Sequence, residues 1–453
     1  MTTIDCSWLL TPLGWQARQR LTLDEAGTIV AIEPADDRPS DHELGGWVLP
    51  GMCNAHSHAH QRLIAGLTAW REEGRSSFWS WRQQMYRAIE RLSAEDLEWV
   101  ARYLYAELLE GGYTSTGEFH YAHRLEGCRP LESSQALVRA ADRAGCALTL
   151  LPVWYRYSGF GRRALEPEQR AFELQGEEIL DLLAELESQR QAFGTLELGL
   201  APHSLRAVDL DELAALLERI PDGPIHLHIA EQVGEVEACQ AHCSRRPIEL
   251  LFDSLHPGPN WSLIHATHAS PSELDRMAEA GSVVVVCPST EADLGDGIFP
   301  AVDWQARGGA MAIGSDSNVM TSAAGELRLL EWSQRLVSGQ RNCLLGGQGR
   351  HLGTALWSRA AGAGAQALGQ NAGRLEVGRR ADLVELDHRH PLLAGLAPEL
   401  AVDSFLMAEQ PGMIRSVWVA GRCRVVDGHH RDRDSLGEAF AELRARLVRE
   451  APQ

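Results

Sequence analysis

Apolar and polar positions change their spacing repeatedly along this chain. Short, nearly unbroken apolar runs end in polar residues, and stretches of helical spacing lie between them. Eight such runs occur: WVLPGMCNAHSH (47–58), GGYTSTGEFHY (111–121), CALTLLPVWY (146–155), LELGLAPHSLR (196–206), PIHLHIAE (224–231), WSLIHATHAS (261–270), SVVVVCPST (282–290) and AMAIGSDSN (310–318). Helical patterns between them include SSQALVRAADRAG, LDELAALLERI and SPSELDRMAEAG. The last opens with Ser and Pro and closes with Gly, as a capped helix does. Apolar strands alternating with amphipathic helices predict a parallel sheet covered on both faces. Eight units predict an α/β fold of the (β/α)8 TIM-barrel type, with its active site at the C-terminal ends of the strands.

The two ends of the chain read differently. Residues 1–47 are short, turn-rich and strand-like, as in GTIVAIEP. After a helical stretch near 355–368 come GRLEVGRRADLVELD and IRSVWVAGRCRVVDG, which read as antiparallel strands with tight turns. The expected organisation is therefore a barrel over 48–369 beside a small β-sandwich built from 1–47 and 370–453. The segment LGEAFAELRARLVRE predicts a closing C-terminal helix.

A length of 453 residues with 44% apolar content is ample for such a core. The formal charge of −20 argues against nucleic acid and anionic membrane as partners. The opening MTTIDCSWLLTPLGW has no basic region followed by a long apolar run, so no secretion signal is expected. No apolar run reaches the roughly 20 residues of a membrane span. These features predict a cytoplasmic protein whose nine scattered cysteines are reduced core residues. Cys239 and Cys243 have helical spacing, but no second pair completes a metal site. The chain contains no lysine. That excludes Schiff-base chemistry.

The strand ends carry the chemistry. The first supplies His56 and His58, on alternate positions and so on one face. The fifth supplies His228 and Glu231, the sixth His265 and the eighth Asp316. Neutral imidazoles with a carboxylate suit Zn²⁺, with a position left for water whose ionisation then moves toward neutral pH. Glu231 is placed to carry protons between water and a leaving group. Taken singly, each has an ordinary structural reading: a buried histidine is usually a hydrogen-bonded core residue, and Asp316 in SDSN reads equally as a helix cap. His226 shares a strand face with His228. His228 is preferred because it is nearer the strand's C-terminal end and next to Glu231. His60 and His268 carry no assigned role.

The motifs NAHSH, HLHIAE, LIHATH and IGSDSN, in this order, resemble those of the amidohydrolase superfamily over nearly the whole chain. GRLEVGRRADLVELD is similar to that family's split β-sandwich. The resemblance implies one divalent ion per subunit, Zn²⁺ or else Fe²⁺ or Mn²⁺, held by His56, His58, His228 and Asp316. Relatives with two ions bridge them through a carboxylated lysine, which this chain cannot form. The likeness also implies that His265 holds the attacking water or polarises the substrate, that Glu231 shuttles protons and that Asp316 is both ligand and base. A homodimer is the family-level expectation.

Further strand-end residues bear on the substrate. Arg206 follows the fourth strand beside His203, Arg82 lies in FWSWRQQMYR, Tyr121 ends the second strand and Gln61 closes the opening motif. Guanidinium groups match carboxylates through paired hydrogen bonds, so this set suits an acyclic dicarboxylate. Within the superfamily, AHSHAHQRLIAGL, FWSWR, GEFHY and PHSLRAV most resemble the formiminoglutamate deiminases. That resemblance implies hydrolysis of N-formimino-L-glutamate to N-formyl-L-glutamate and ammonia in histidine degradation, with Gln61, Arg82, Tyr121, His203 and Arg206 contacting the substrate. The seventh strand end, CPSTEADLGDG, departs from the Asn-Pro turn common among relatives, which argues against a nucleobase pocket. A deaminase of cyclic amidines and a non-catalytic barrel are the alternatives.

Overall fold

Side chains in β4 (His42–Pro50) alternate between two cores, as a strand buried on both faces must. Leu44 and Val48 join a small core with residues of β1 (Thr2–Thr11), β2 (Gly14–Leu23) and β3 (Ile29–Pro34). Trp47 and Leu49 point the other way, into the main core of the molecule. The computed structural model describes residues 1–67, 69, 85–190, 192–220, 222–347 and 349–449.

Beyond Gly51 the chain enters a set of parallel strands. β5 (Met52–Ser57), β6 (Tyr113–His120), β7 (Ala147–Trp154) and β8 (Leu196–Leu198) pair in sequence, and β9 (Ala201–Pro202) pairs with β7. β10 (Ile225–Ile229), β11 (Trp261–His265), β12 (Val283–Val286) and β13 (Ala310–Ile313) form a second parallel run. Bridges between Leu200 and Ile225 and between Ser57 and Asp316 join the two runs at both edges. The fourth expected strand is split into β8 and β9. Gly199 lies at the break, where a side chain would meet the Pro224 carbonyl at 2.3 Å.

The last strands return to the first. β14 (Leu383–Leu386), β15 (Ile414–Val419), β16 (Arg422–Val426) and β17 (His429–His430) extend the β1–β4 sheet in the order β17-β16-β15-β14-β4-β1-β2-β3. β4 reaches Pro50, so this sheet runs past the expected boundary at residue 47. The C-terminal helix, Arg433–Arg449, leaves the sheet and packs on helix Ala94–Glu110. There Phe440 stacks on Tyr103 at 4.2 Å, and Arg444 donates to the Leu63 carbonyl just beyond β5.

Helix Leu352–Leu368 packs against β5, β12 and β13. Ala363 and Ala367 share a core cluster with Ala55, Ile264, Val283, Val285 and Ala312. Its final carbonyls accept from side chains of the strands: Thr149 to Leu368 and His226 Nε2 to Ala367, both at 2.8 Å. His226 is thus a helix-capping residue. No described helix is long and apolar enough to cross a membrane. All nine cysteines are free, but they are not all core residues: Cys128, Cys243 and Cys343 are half-buried and Cys423 is exposed.

Candidate metal centre and substrate pocket

The bridge that joins β5 to the segment after β13 also fixes the centre. Asp316 N–H donates to the His56 carbonyl at 2.9 Å, and His58 N–H donates to the Asp316 carbonyl at 3.0 Å. Asn318 Nδ2 donates to the carbonyls of His58 and Asp316, each at 3.0 Å. His265 and Asp316 hold left-handed backbone angles, φ 68° and 46°, which are costly for non-glycine residues and concentrate at functional sites.

The ring nitrogens of His56, His58 and His228 lie within 4.8 Å of one another, and the Asp316 carboxylate stands beside two of them. His56 Nε2 lies 3.0 Å from His228 Nε2 and 3.6 Å from Asp316 Oδ1, and His58 Nε2 lies 3.3 Å from the same oxygen. Donors about 2.0–2.1 Å from one tetrahedral ion stand about 3.3 Å apart, so the spacing fits a single ion. The outer ring atoms are engaged elsewhere. His58 Nδ1 donates to the Phe119 carbonyl at 2.9 Å and His228 Nδ1 to the His203 carbonyl at 3.0 Å. Those bonds fix the tautomers and leave both Nε2 lone pairs free, that of His58 beside Asp316 and that of His228 beside His56 Nε2. Burial holds His56 and His228 well below the ordinary imidazole range and His58 down to about 3, so all three imidazoles are neutral, the form a metal ion requires. Converging lone pairs and a carboxylate repel one another unless a cation lies between them, and the cluster fits the metal expected. His265, Cys287 and Asp316 also lie close enough to share an ion. Burial raises the Cys287 thiol well above its usual range, and a protonated thiol is a poor ligand.

His265 is surrounded by carboxylates. Its Nδ1 donates to Glu291 at 3.2 Å, and its Nε2 lies 3.5 Å from Asp316 and 3.8 Å from Glu231. Burial alone would lower its pKa, but Glu231, Glu291 and Asp316 together raise it to about 10. Burial raises Asp316 to about 7.

The adjoining pocket is lined by Gln61, Tyr121, His203 and Arg206. Gln61 Nε2 donates to the Tyr121 hydroxyl at 2.6 Å. Arg206 Nη1 donates to Tyr155 at 3.2 Å, and no carboxylate among the described residues lies within 4.0 Å of its guanidinium. Arg82 lies outside the described residues. His60 lies beside the site, its ring centroid 4.9 Å from that of Tyr121. His268 does not enter the metal cluster. Cys239 and Cys243 have sulfurs 3.9 Å apart, with no third metal donor grouped with them among the described residues.

The Amidohydrolase family profile matches residues 47–424. This chain belongs to the amidohydrolase family. A formimidoylglutamate deiminase from Pseudomonas aeruginosa is 44% identical, covering 99% of this chain and 100% of that protein. An 8-oxoguanine deaminase from the same species is 27% identical, covering 93% and 94%. A crystal structure of an amidohydrolase from Brucella melitensis matches with a TM-score of 0.93 at 40% identity, covering 99% and 100%. A zinc-bound adenosine deaminase from Xanthomonas campestris, at 22% identity and a TM-score of 0.79 over 99% and 98%, shares the fold.

Two buried carboxylates of this amidohydrolase escaped the sequence reading. Glu291 holds His265 and also accepts from Cys287 N–H at 2.8 Å. It lies in CPSTEADLGDG, the segment whose departure from the usual turn was its only signal. Glu118, in GEFHY, accepts from Ala59 N–H at 2.7 Å and from the Tyr105 hydroxyl at 3.2 Å. It thereby fixes the chain just past His58. Burial raises Glu118 to about 8 from an ordinary 4.5. Between those values the unfolded chain loses this proton while the folded chain keeps it. The stabilisation is therefore complete below pH 4.5 and lost as pH rises through 8. Glu118→Gln removes the titration and keeps an acceptor for Ala59. Its stability relative to the parent is expected to rise between pH 5 and 8 by about 2–4 kcal/mol. Chemical unfolding across that range checks it, and a pH-independent difference would exclude a buried proton on Glu118.

Proposed function

We propose that this amidohydrolase is a (β/α)8 barrel, flanked by a β-sandwich from its N- and C-terminal segments, that hydrolyses N-formimino-L-glutamate to N-formyl-L-glutamate and ammonia. The observation that carries the substrate is Arg206. Its guanidinium faces the pocket with no carboxylate partner among the described residues. Glu235 acts on it only from beyond ion-pair contact, and a guanidinium with no carboxylate bonded to it suits an anionic substrate. Gln61, whose Oε1 is buried without a partner, Tyr121 and His203 line the same space. The formimidoylglutamate deiminase of Pseudomonas aeruginosa, similar over its full length, supports the same substrate.

His56, His58, His228 and Asp316 would hold one divalent ion, and their nitrogen and oxygen atoms suit zinc. When bound, such an ion acidifies water and polarises the formimino group. Asp316 takes a proton from the attacking water. An oxygen–carbon bond forms at the formimino carbon, and His265, positively charged among its carboxylates, steadies the developing negative charge. Glu231 delivers a proton to the departing nitrogen. As the carbon–nitrogen bond breaks, the proton held on Asp316 passes to the same nitrogen, the new hydroxyl returns its proton to Glu231, and ammonia leaves with the formyl oxygen in place.

Ammonia release from zinc-loaded protein tests this reading, with N-formimino-L-glutamate and guanine in parallel. Turnover of the first alone is expected. Turnover of guanine alone would leave the metal centre standing and exclude the dicarboxylate pocket.

A further inference from the structure

Tyr155 follows β7, is 2% exposed and lines the pocket that holds Arg206 and Glu231. Two groups donate to its hydroxyl oxygen. The first is Gln169, which is fully buried. Gln169 Oε1 accepts from the Glu166 backbone N–H at 3.0 Å, which fixes the amide and leaves Nε2 to donate. That nitrogen donates to the Tyr155 hydroxyl at 3.1 Å and to the Tyr86 hydroxyl at 3.4 Å. The second donor is Arg206 Nη1, at 3.2 Å. A guanidinium accepts nothing, and the Gln169 oxygen is already engaged. The phenolic proton of Tyr155 therefore finds no acceptor among the described residues. A buried donor without a partner is rare in a finished structure. Tyr155 and Arg206 both line the pocket, which offers this proton a place for an acceptor.

We infer that Tyr155 is a substrate-binding residue, which donates its phenolic proton to the same substrate carboxylate that Arg206 holds, with Gln169 as a positioning residue behind it. This rests on the dicarboxylate reading above. A carboxylate fits better than the formimino group because the hydroxyl stands directly against the guanidinium. An anion there receives donors from both. Gln169 contributes by occupying the phenol's acceptor side, so that the proton cannot turn away.

Tyr155→Phe keeps the ring on His203, whose centroid lies 4.7 Å away. For N-formimino-L-glutamate the variant is expected to raise KM about 10–100-fold, the range for a hydrogen bond to a charged group, with kcat within about threefold of the parent. Two substrates that each lack one carboxylate, the N-formimino derivatives of 4-aminobutyrate and of L-2-aminobutyrate, locate the partner. The penalty should shrink to about twofold or less on one of them only. An unchanged KM, or an equal penalty on both analogues, overturns the inference. Gln169→Glu puts an acceptor where the donor was and should raise KM with Tyr155 still present. Its penalty should not add to that of Tyr155→Phe, and full additivity overturns the positioning role. If the parent enzyme turns over none of the three substrates, the dicarboxylate reading fails and this inference with it. If the parent is active and Tyr155→Phe is unimpaired, only the inference fails.

Discussion

Glu231→Gln is expected to lower kcat about 10²–10⁴-fold while zinc content stays at one ion per chain. Glu231 is not among the four proposed ligands, and its side chain is 16% exposed, at the pocket wall. Its Oε1 lies 3.8 Å from His265 Nε2, beyond a direct hydrogen bond and near enough to act on a group held between them. Glutamine has the same shape and still forms hydrogen bonds, but it cannot take up and release a proton. The loss should therefore fall on kcat, with KM within about threefold, since substrate positioning is nearly unchanged. Steady-state kinetics with metal analysis on the same preparation decides. A kcat within tenfold of the parent would exclude Glu231 as the proton carrier, and loss of the ion would make it a ligand instead.

The centre was legible in the sequence because its residues sit at ends of apolar runs, where alternation and punctuation are strongest. His56, His58, His228, His265 and Asp316 are all of this kind. His226 shows what such a pattern cannot separate. It lies two residues before His228 on the same strand, yet its partner is the Ala367 carbonyl, 141 positions away. Only the packing of helix Leu352–Leu368 against the strands decides that. Glu118 and Glu291 were missed for a related reason. A glutamate in a strand or a short helix usually faces water, and burial against His265 or Ala59 is tertiary information. The split between β8 and β9 depends on the approach of the Pro224 carbonyl to Gly199, another contact with no local sequence signal. Trp47–Pro50 reads as part of the first parallel strand because its apolar run is continuous with Met52–Ala55. Hydrogen bonding assigns it instead to the sheet of the chain ends, through β14.

Removing the divalent ion is expected to reduce turnover to background, and one equivalent of Zn²⁺ should restore it. The stripped protein should also unfold at a lower temperature. An ion present at about 1,000 times its Kd stabilises the folded chain by about 4 kcal/mol, and its removal additionally leaves three imidazoles and a carboxylate in mutual repulsion. The pH dependence separates the ligands. His56, His58 and His228 stay neutral well below their ordinary range because they are buried, so acid does not compete for them near pH 6. Asp316, raised by burial to about 7, must lose its proton to bind the ion. Below about pH 7 each unit of acid should therefore weaken zinc binding about tenfold, with a slope near one proton per ion. The fall runs toward low pH because acid protonates the ligand in the ion-free state. Zinc affinity measured by competition with a chelator between pH 5 and 7 gives the slope. A slope near three would mean that the histidines titrate in this range and are not held neutral by the fold. Asp316→Asn should flatten the dependence while weakening the affinity at every pH. If the variant kept the parent's slope, the proton would belong to another group, and Asp316 would not be the residue that couples metal binding to acid.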